Sequence, residues 1–181
     1  MRPLQLIHLD LWGPSPVVSN FSYRSYGVFV DEWSRFLWFF PLLKKFDLPL
    51  VFKDFLNKIE LFFDFKVCVF RSDGGGEFTS KQFEHILSSY GIIHQFSCPY
   101  TPEQNGVCER KHHHLLDIIR TLLADSKLPS KFWVDIILTA AFLINRLPSA
   151  KLNNVSPYQV LSNTKSDILI LKSLDAHAFS G

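Results

Sequence analysis

A chain of 181 residues fits one domain, and a formal net charge of only +2 leaves the whole-molecule field uninformative about partners. With 47% hydrophobic residues and 18 Phe there is ample material for a buried core, which excludes disorder over most of the length. Three widely spaced cysteines, Cys68, Cys98 and Cys108, exclude both a disulfide framework and a CxxC metal pair. The apolar run from Phe36 to Leu43 is too short to span a bilayer and is followed by Lys44-Lys45, and the N-terminus carries no secretory pattern, so the expectation is a soluble intracellular domain.

Leu4 to Asp10 is apolar enough for a buried strand, and Trp12-Gly13-Pro14-Ser15-Pro16 is expected to end it. Ser25 to Trp33 and the aromatic-rich Arg35 to Leu43 read as two further strands. The short link between them, Asp31 to Ser34, predicts an antiparallel hairpin. Asp47 is the predicted N-cap of a helix with Pro49 in its first turn. Leu50, Phe52, Phe55, Leu56, Ile59 and Phe63 form the apolar face of that helix. Val67 to Phe70 is the heart of a fourth strand that ends at Asp73, followed by Gly74-Gly75-Gly76. A helix from Ser80 to Tyr90 closes at Gly91, and Ile92 to Ser97 is a fifth strand. Helices are then expected over about 105–125 and from Phe132 to Leu147, with a short capped one at Ser156-Pro157-Tyr158-Gln159. The order predicts an α/β domain with a mixed five-stranded sheet flanked by helices.

Three acids stand at the ends of these elements. Asp10 and Asp73 close predicted strands, where sites form in open sheets, and Glu109 lies in the first turn of the 105–125 helix. Each has a plain alternative: Asp10 and Asp73 as turn formers, and Glu109 as a carboxylate placed favourably at a helix N-terminus. If the first and fourth strands are neighbours, the two aspartates meet and Glu109 can complete a triad. Three converging carboxylates repel, and a divalent cation relieves that repulsion. Hard oxygen donors without Cys or a clustered His favour Mg²⁺ or Mn²⁺ over zinc. Two such ions suit in-line attack at a phosphodiester.

Several pieces together carry a resemblance. They are His8-Leu9-Asp10-Leu11-Trp12-Gly13-Pro14, Phe29-Val30-Asp31-Glu32-Trp33-Ser34-Arg35-Phe36, Arg71-Ser72-Asp73-Gly74-Gly75-Gly76-Glu77-Phe78, and the run from Cys98 to Lys111 with Pro99-Tyr100-Thr101-Pro102 and Gln104-Asn105-Gly106. Leu128-Pro129-Ser130-Lys131-Phe132-Trp133 and Leu143-Ile144-Asn145-Arg146-Leu147-Pro148 agree. In this order they resemble the integrase catalytic core of copia-type retrotransposons, over roughly residues 3 to 163. The resemblance implies a ribonuclease H-like fold and a DNA integration activity, a polynucleotidyl transfer that trims element 3′ ends and joins them to target DNA. It implies that Asp10, Asp73 and Glu109 are the catalytic and metal-binding triad, with the family's 35 residues between the last two. Asp10 would bridge two Mg²⁺ or Mn²⁺ ions, with Asp73 and Glu109 holding one each. Double-stranded DNA, both element ends and target, is the implied partner, together with a homo-oligomeric state, a nuclear location and no membrane association.

The chain departs from the family in places. Gly74 stands where Asn is usual, which predicts a looser turn after Asp73. The family's upstream zinc-binding domain and downstream regions are not in this sequence, and 164–181 reads as a divergent tail after a core of 1–163. These departures raise a second expectation, a truncated and catalytically inert remnant that binds nucleic acid or a protein partner. A ribonuclease H acting on hybrids is a third, disfavoured by the Pro-Tyr-Thr-Pro loop ahead of the Glu109 helix.

Other candidates carry smaller roles. Gln104, Asn105, Arg110, Lys111 and His113 are the expected nucleic-acid contacts, weighed against plain loop structure and a solvated helix face. The run His112-His113-His114 does not form a zinc site, because consecutive helical residues point in different directions. Glu77 is expected to support the structure, Gly75 and Gly76 to give the backbone room, and His8, Trp12, Trp33, Trp38 and Trp133 to lie in the core.

Overall fold

The computed structural model describes residues 2–96, 113, 115–117, 121 and 128–164. Among them a five-stranded sheet has the order β3-β2-β1-β4-β5, where β1 is Leu6–Trp12, β2 Ser25–Asp31, β3 Leu37–Leu42, β4 Val69–Ser72 and β5 Ile93–Phe96. β1 to β3 form an antiparallel meander, and β4 and β5 then add in parallel beside β1. The mixed α/β sheet read from the sequence is therefore the one observed.

Helices cover both faces. α1 (Leu48–Phe63) and α2 (Lys81–Tyr90) lie on one face. Phe52, Phe55, Leu56 and Ile59 of α1 and Phe83, Ile86 and Leu87 of α2 pack there against Ile7, Leu9, Phe29 and Phe70. On the other face α3 (Trp133–Arg146) covers Tyr26, Val28, Val30, Leu37 and Phe39, together with the helical residue Leu115. A short helix α4 (Pro157–Ser162) follows, capped by Ser156, whose hydroxyl accepts from the Gln159 amide. α2 has the punctuation expected of it: the Ser80 hydroxyl accepts from the Phe83 amide, and Gly91 closes the helix at φ 65°.

Local chemistry moved some expected boundaries. β1 runs on through Trp12, because its antiparallel partner β2 continues to pair with it as far as Trp12↔Tyr26, so Asp10 lies inside the strand rather than at its tip. Asp47 holds the N-cap position of α1 as expected, with Pro49 in the first turn, but its side chain makes no capping bond: it closes a 3-10 turn over Lys45–Asp47, and its carboxylate accepts from the Lys44 amide. Leu50 is 62% exposed, since one turn of a helix cannot direct both Leu50 and Phe52 inward, and Leu48 takes the inner position. Trp33 is 46% exposed at the hairpin tip, whereas Trp133 is buried and Trp12 stacks on Tyr26. Pro41 is accommodated in β3 because that strand lies at the sheet edge.

Two buried polar side chains fix elements that hydrophobic burial alone would leave free to slide. Asp31, fully buried, accepts from the Leu4 amide (2.9 Å), the Ser34 amide (2.8 Å) and the Ser34 hydroxyl (2.6 Å), which shapes the β2–β3 turn. Asn145 of α3 reaches Leu37 of β3 twice, accepting from its amide at 2.8 Å and donating to its carbonyl at 2.7 Å. Replacing Asn145 by Ala removes both bonds within the core, and the expected loss of about 1–3 kcal/mol is readable in urea unfolding.

Candidate active site

Alternation along β1 sends Ile7 and Leu9 into the α1/α2 layer and His8 and Asp10 to the opposite face. That second face is the one on which Leu115 packs. The β1–β4 ladder pairs Leu6 with Val69, Ile7 with Phe70 and His8 with Arg71. Asp10 and Asp73 each lie two residues beyond the last pair of this ladder, His8↔Arg71, at the same end of it. The expectation that these strands are neighbours therefore holds. Asp10 and Asp73 stand just beyond the last β1–β4 pair, where the two strands part company.

Each carboxylate is held locally. Asp10 Oδ1 accepts from the Leu11 amide at 2.9 Å, and Asp73 Oδ1 accepts from the Gly75 amide at 3.2 Å. Asp10 is half-buried and Asp73 is exposed. Asp10's charge is felt across the sheet: burial, and then the Asp10 carboxylate, push the Tyr26 phenol well above its ordinary range.

The glycine turn after Asp73 is crowded at one position. A Cβ at Gly75 would lie 2.7 Å from Glu77 Oε2 and 3.2 Å from Asp73 Oδ1, so a larger residue there would have to push these carboxylates aside. At Gly74 and Gly76 the same atom would meet nothing within 4 Å, so an Asn-sized side chain has room at 74. Glu77 serves the support role expected of it, through an ion pair with Lys45 at 3.0 Å. A bond from its own backbone amide holds the Glu77 carboxyl below the ordinary range against the effect of burial, and Lys45 adds to the lowering.

Two polar arrangements had no counterpart in the sequence reading. His8 is buried as expected, yet its Nε2 lies 2.7 Å from Glu32 Oε2, and Arg35 binds both oxygens of the same carboxylate at 2.9 and 3.0 Å. The paired acid and base around the hairpin, Glu32 and Arg35, were the available signal for it. Burial raises the Glu32 pKa, but the His8 hydrogen bond and the Arg35 charge outweigh it, leaving a net lowering from 4.5. A carboxylate with a lowered folded-state pKa adds stability above its unfolded value, and that stability is lost as pH falls through the folded one. Acid unfolding should therefore steepen from about pH 4.5 downward, and Glu32→Gln should flatten that limb in a pH series of thermal melts.

The second arrangement stands behind Asp73. Ser72, buried at the end of β4, has its Oγ 2.9 Å from the Asp73 carbonyl oxygen and 2.9 Å from His94 Nε2. The His94 ring lies against Phe70 and Phe96, at 5.0 and 4.1 Å between centroids. Burial lowers the His94 pKa, and the Glu84 charge opposes this.

Glu109, Gln104, Asn105, Arg110 and Lys111 lie outside the described residues, while His113 is exposed in a helical stretch. Among the described residues no three His, Cys, Asp or Glu side chains cluster closely enough to hold a metal ion, and Asp10 and Asp73 are the two acids of the predicted triad that can be placed. No helix among them is long and apolar enough to cross a membrane.

A sheet of this order, with aspartates at the parting of its central strands, can be set against known proteins. The family profile described as integrase core domain matches residues 1–102. The chain belongs to the integrase core domain family. Among curated relatives, the retrovirus-related Pol polyprotein from transposon RE1 of Arabidopsis thaliana is 40% identical over 163 residues, and that of transposon TNT 1-94 of Nicotiana tabacum is 37% identical over 177. These alignments cover 90% and 98% of this chain but 11% and 13% of the relatives, so this integrase core spans about a tenth of the polyproteins it matches. The fold matches the HTLV-2 integrase catalytic core domain in complex with magnesium, trimeric form, with a TM-score of 0.65 at 20% identity, over 88% of this chain and 97% of that one. It also matches a chain of the simian T-cell lymphotropic virus intasome in complex with the PP2A regulatory subunit B56 gamma, with a TM-score of 0.70 at 18% identity, over 88% of this chain and 55% of that one. Likeness at these identities establishes the fold, the ribonuclease H-like arrangement expected from the sequence.

Proposed function

We propose that this integrase core is a divalent-metal-dependent polynucleotidyl transferase, which trims the 3′ ends of an element's DNA and joins them to target DNA. The observation that supports this reading is that β1 and β4 are parallel neighbours, with Asp10 and Asp73 each two residues beyond their last pair, at the same end of the ladder. The donor set fits the metal: two hard carboxylates, no thiolate between them, on neighbouring strands. Glu109 is the third member by its match to the family motif.

In this reading Asp10, Asp73 and Glu109 would hold Mg²⁺ or Mn²⁺, and bound metal would supply Lewis acidity for an in-line displacement at a phosphodiester. The chain supplies position and charge. β2 keeps β1 straight beneath Asp10, and the Leu11 amide orients its carboxylate. The Gly75 amide and the Lys45–Glu77 pair order the turn that carries Asp73. Gln104, Asn105, Arg110, Lys111 and His113 contact double-stranded DNA, largely through phosphates. The protein acts as a homo-oligomer in the nucleus.

The test is Mn²⁺-dependent disintegration, the resolution of a branched integration-intermediate DNA, with Glu109→Gln run beside the unaltered chain. Activity present in the chain and lost in the variant is the expected result. A folded chain as inactive as its variant overturns the proposal and leaves an inert remnant.

A further inference from the structure

The residue after Asp73 begins a run of three glycines, a poor support for a carboxylate that must hold an ion in a fixed place. The support lies on the other side of Asp73. Ser72 Oγ is 2.9 Å from the Asp73 carbonyl, an atom that can only accept, so the single hydroxyl proton is spent on it. His94 Nε2, also 2.9 Å from Oγ, must then donate. The bonds run in one direction, from the imidazole N–H to the serine oxygen and from the serine O–H to the aspartate carbonyl.

The anchor of this chain is His94, half-buried on the edge strand β5. It stands in register opposite Phe70, and its ring is held between Phe70 and Phe96. Ser72 and Phe70 face the α1/α2 layer, whereas Arg71, paired with His8, belongs to the opposite face, the face of Asp10. The clamp therefore grips the peptide of Asp73 from behind the sheet and leaves the side of Asp10 open. Second-layer hydrogen bonds of this kind orient metal ligands, and losing them typically weakens metal affinity by about 10–100-fold.

We infer that Ser72 and His94 are positioning residues for the reaction: the His94–Ser72 hydrogen-bond chain fixes the Asp73 main chain, and through it the Asp73 carboxylate, for metal binding. The inference rests on the metal-dependent reading proposed above.

It is tested on the full chain with Ser72→Ala, with His94→Phe (which keeps a ring against Phe70 but cannot donate) and with His94→Gln (which restores an N–H donor). Asp73→Asn is the reference. Two readouts independent of turnover are used. Amide exchange at Gly75, measured by NMR without metal, reports the Asp73 carboxylate that this amide donates to. Free Mn²⁺ measured by electron paramagnetic resonance reports affinity. Ser72→Ala and His94→Phe should speed Gly75 exchange and weaken Mn²⁺ binding by about 10–100-fold with an unchanged circular dichroism spectrum, and His94→Gln should recover most of both. Unchanged exchange and affinity in His94→Phe, while Asp73→Asn loses Mn²⁺, overturn the positioning role and leave the metal reading standing. If the unaltered chain and Asp73→Asn bind Mn²⁺ equally, the metal reading falls and takes this inference with it.

Discussion

Asp10→Asn should reduce Mn²⁺-dependent disintegration by about a thousandfold or more while leaving the fold intact. The size follows from the role. On the proposed reading Asp10 would help hold metal whose charge stabilisation of the transition state is worth several kilocalories, and each 1.36 kcal/mol is about tenfold in rate. Asn keeps the shape and an oxygen that can still accept from the Leu11 amide, but it removes the charge. A half-buried position on a strand paired from both sides tolerates this exchange, so the thermal midpoint should barely move. The check is a single-turnover assay on the branched substrate beside a melting curve. A variant that keeps more than about a tenth of the activity would show that Asp10 does not hold the metal.

Phe52→Ala should be the most damaging single substitution in the apolar core, at about 3–5 kcal/mol. Phe52 is fully buried at the meeting point of four aromatic rings: Phe29 of β2, Phe55 of its own helix, Phe70 of β4 and Phe83 of α2. The void left by its ring would border both halves of the sheet, and well-packed rings on every side have little freedom to collapse into it. Against a typical total of about 5–15 kcal/mol, a loss of this size leaves the domain partly unfolded at ordinary temperature. Urea unfolding followed by fluorescence of the four tryptophans gives the number directly. A cost below about 1 kcal/mol would mean that the two helices pack on the sheet independently.

The parts of this fold that were legible in the sequence are those set by near neighbours along the chain. Phe52, Phe55, Leu56 and Ile59 repeat with helical period and are the buried face of α1. Ser80 and Gly91 mark the ends of α2 because caps are local chemistry. The strand count and the hairpin between β2 and β3 followed from alternation and a short link. What was not legible depends on partners far away in sequence. Whether Asp10 ends its strand is decided by β2, which continues to pair beyond it. The Asp47 carboxylate turns back to the Lys44 amide although the residue holds the N-cap position, and Trp33 is spared burial by its place at a turn. Of the candidate site, motifs could single out the acids. The parallel pairing that brings the strands of Asp10 and Asp73 together could not be read, since it is a property of two strands some sixty residues apart. The His94–Ser72 bond was invisible for the same reason.

The uneven ladder around Asp10 has a mechanical meaning. β1 stays paired to β2 through residues 9–12, whereas its ladder with β4 stops at His8. Asp10 therefore sits on the fixed jaw of a vice, and Asp73 on a jaw at the end of a short strand, fixed by local bonds to its carbonyl and carboxylate. Any adjustment of the gap between the two acids would strain those bonds before it moved β1. Substitutions that stiffen or loosen the turn after Asp73 should thus alter catalysis more than equal changes along β1, even though β1 is the better buried of the two.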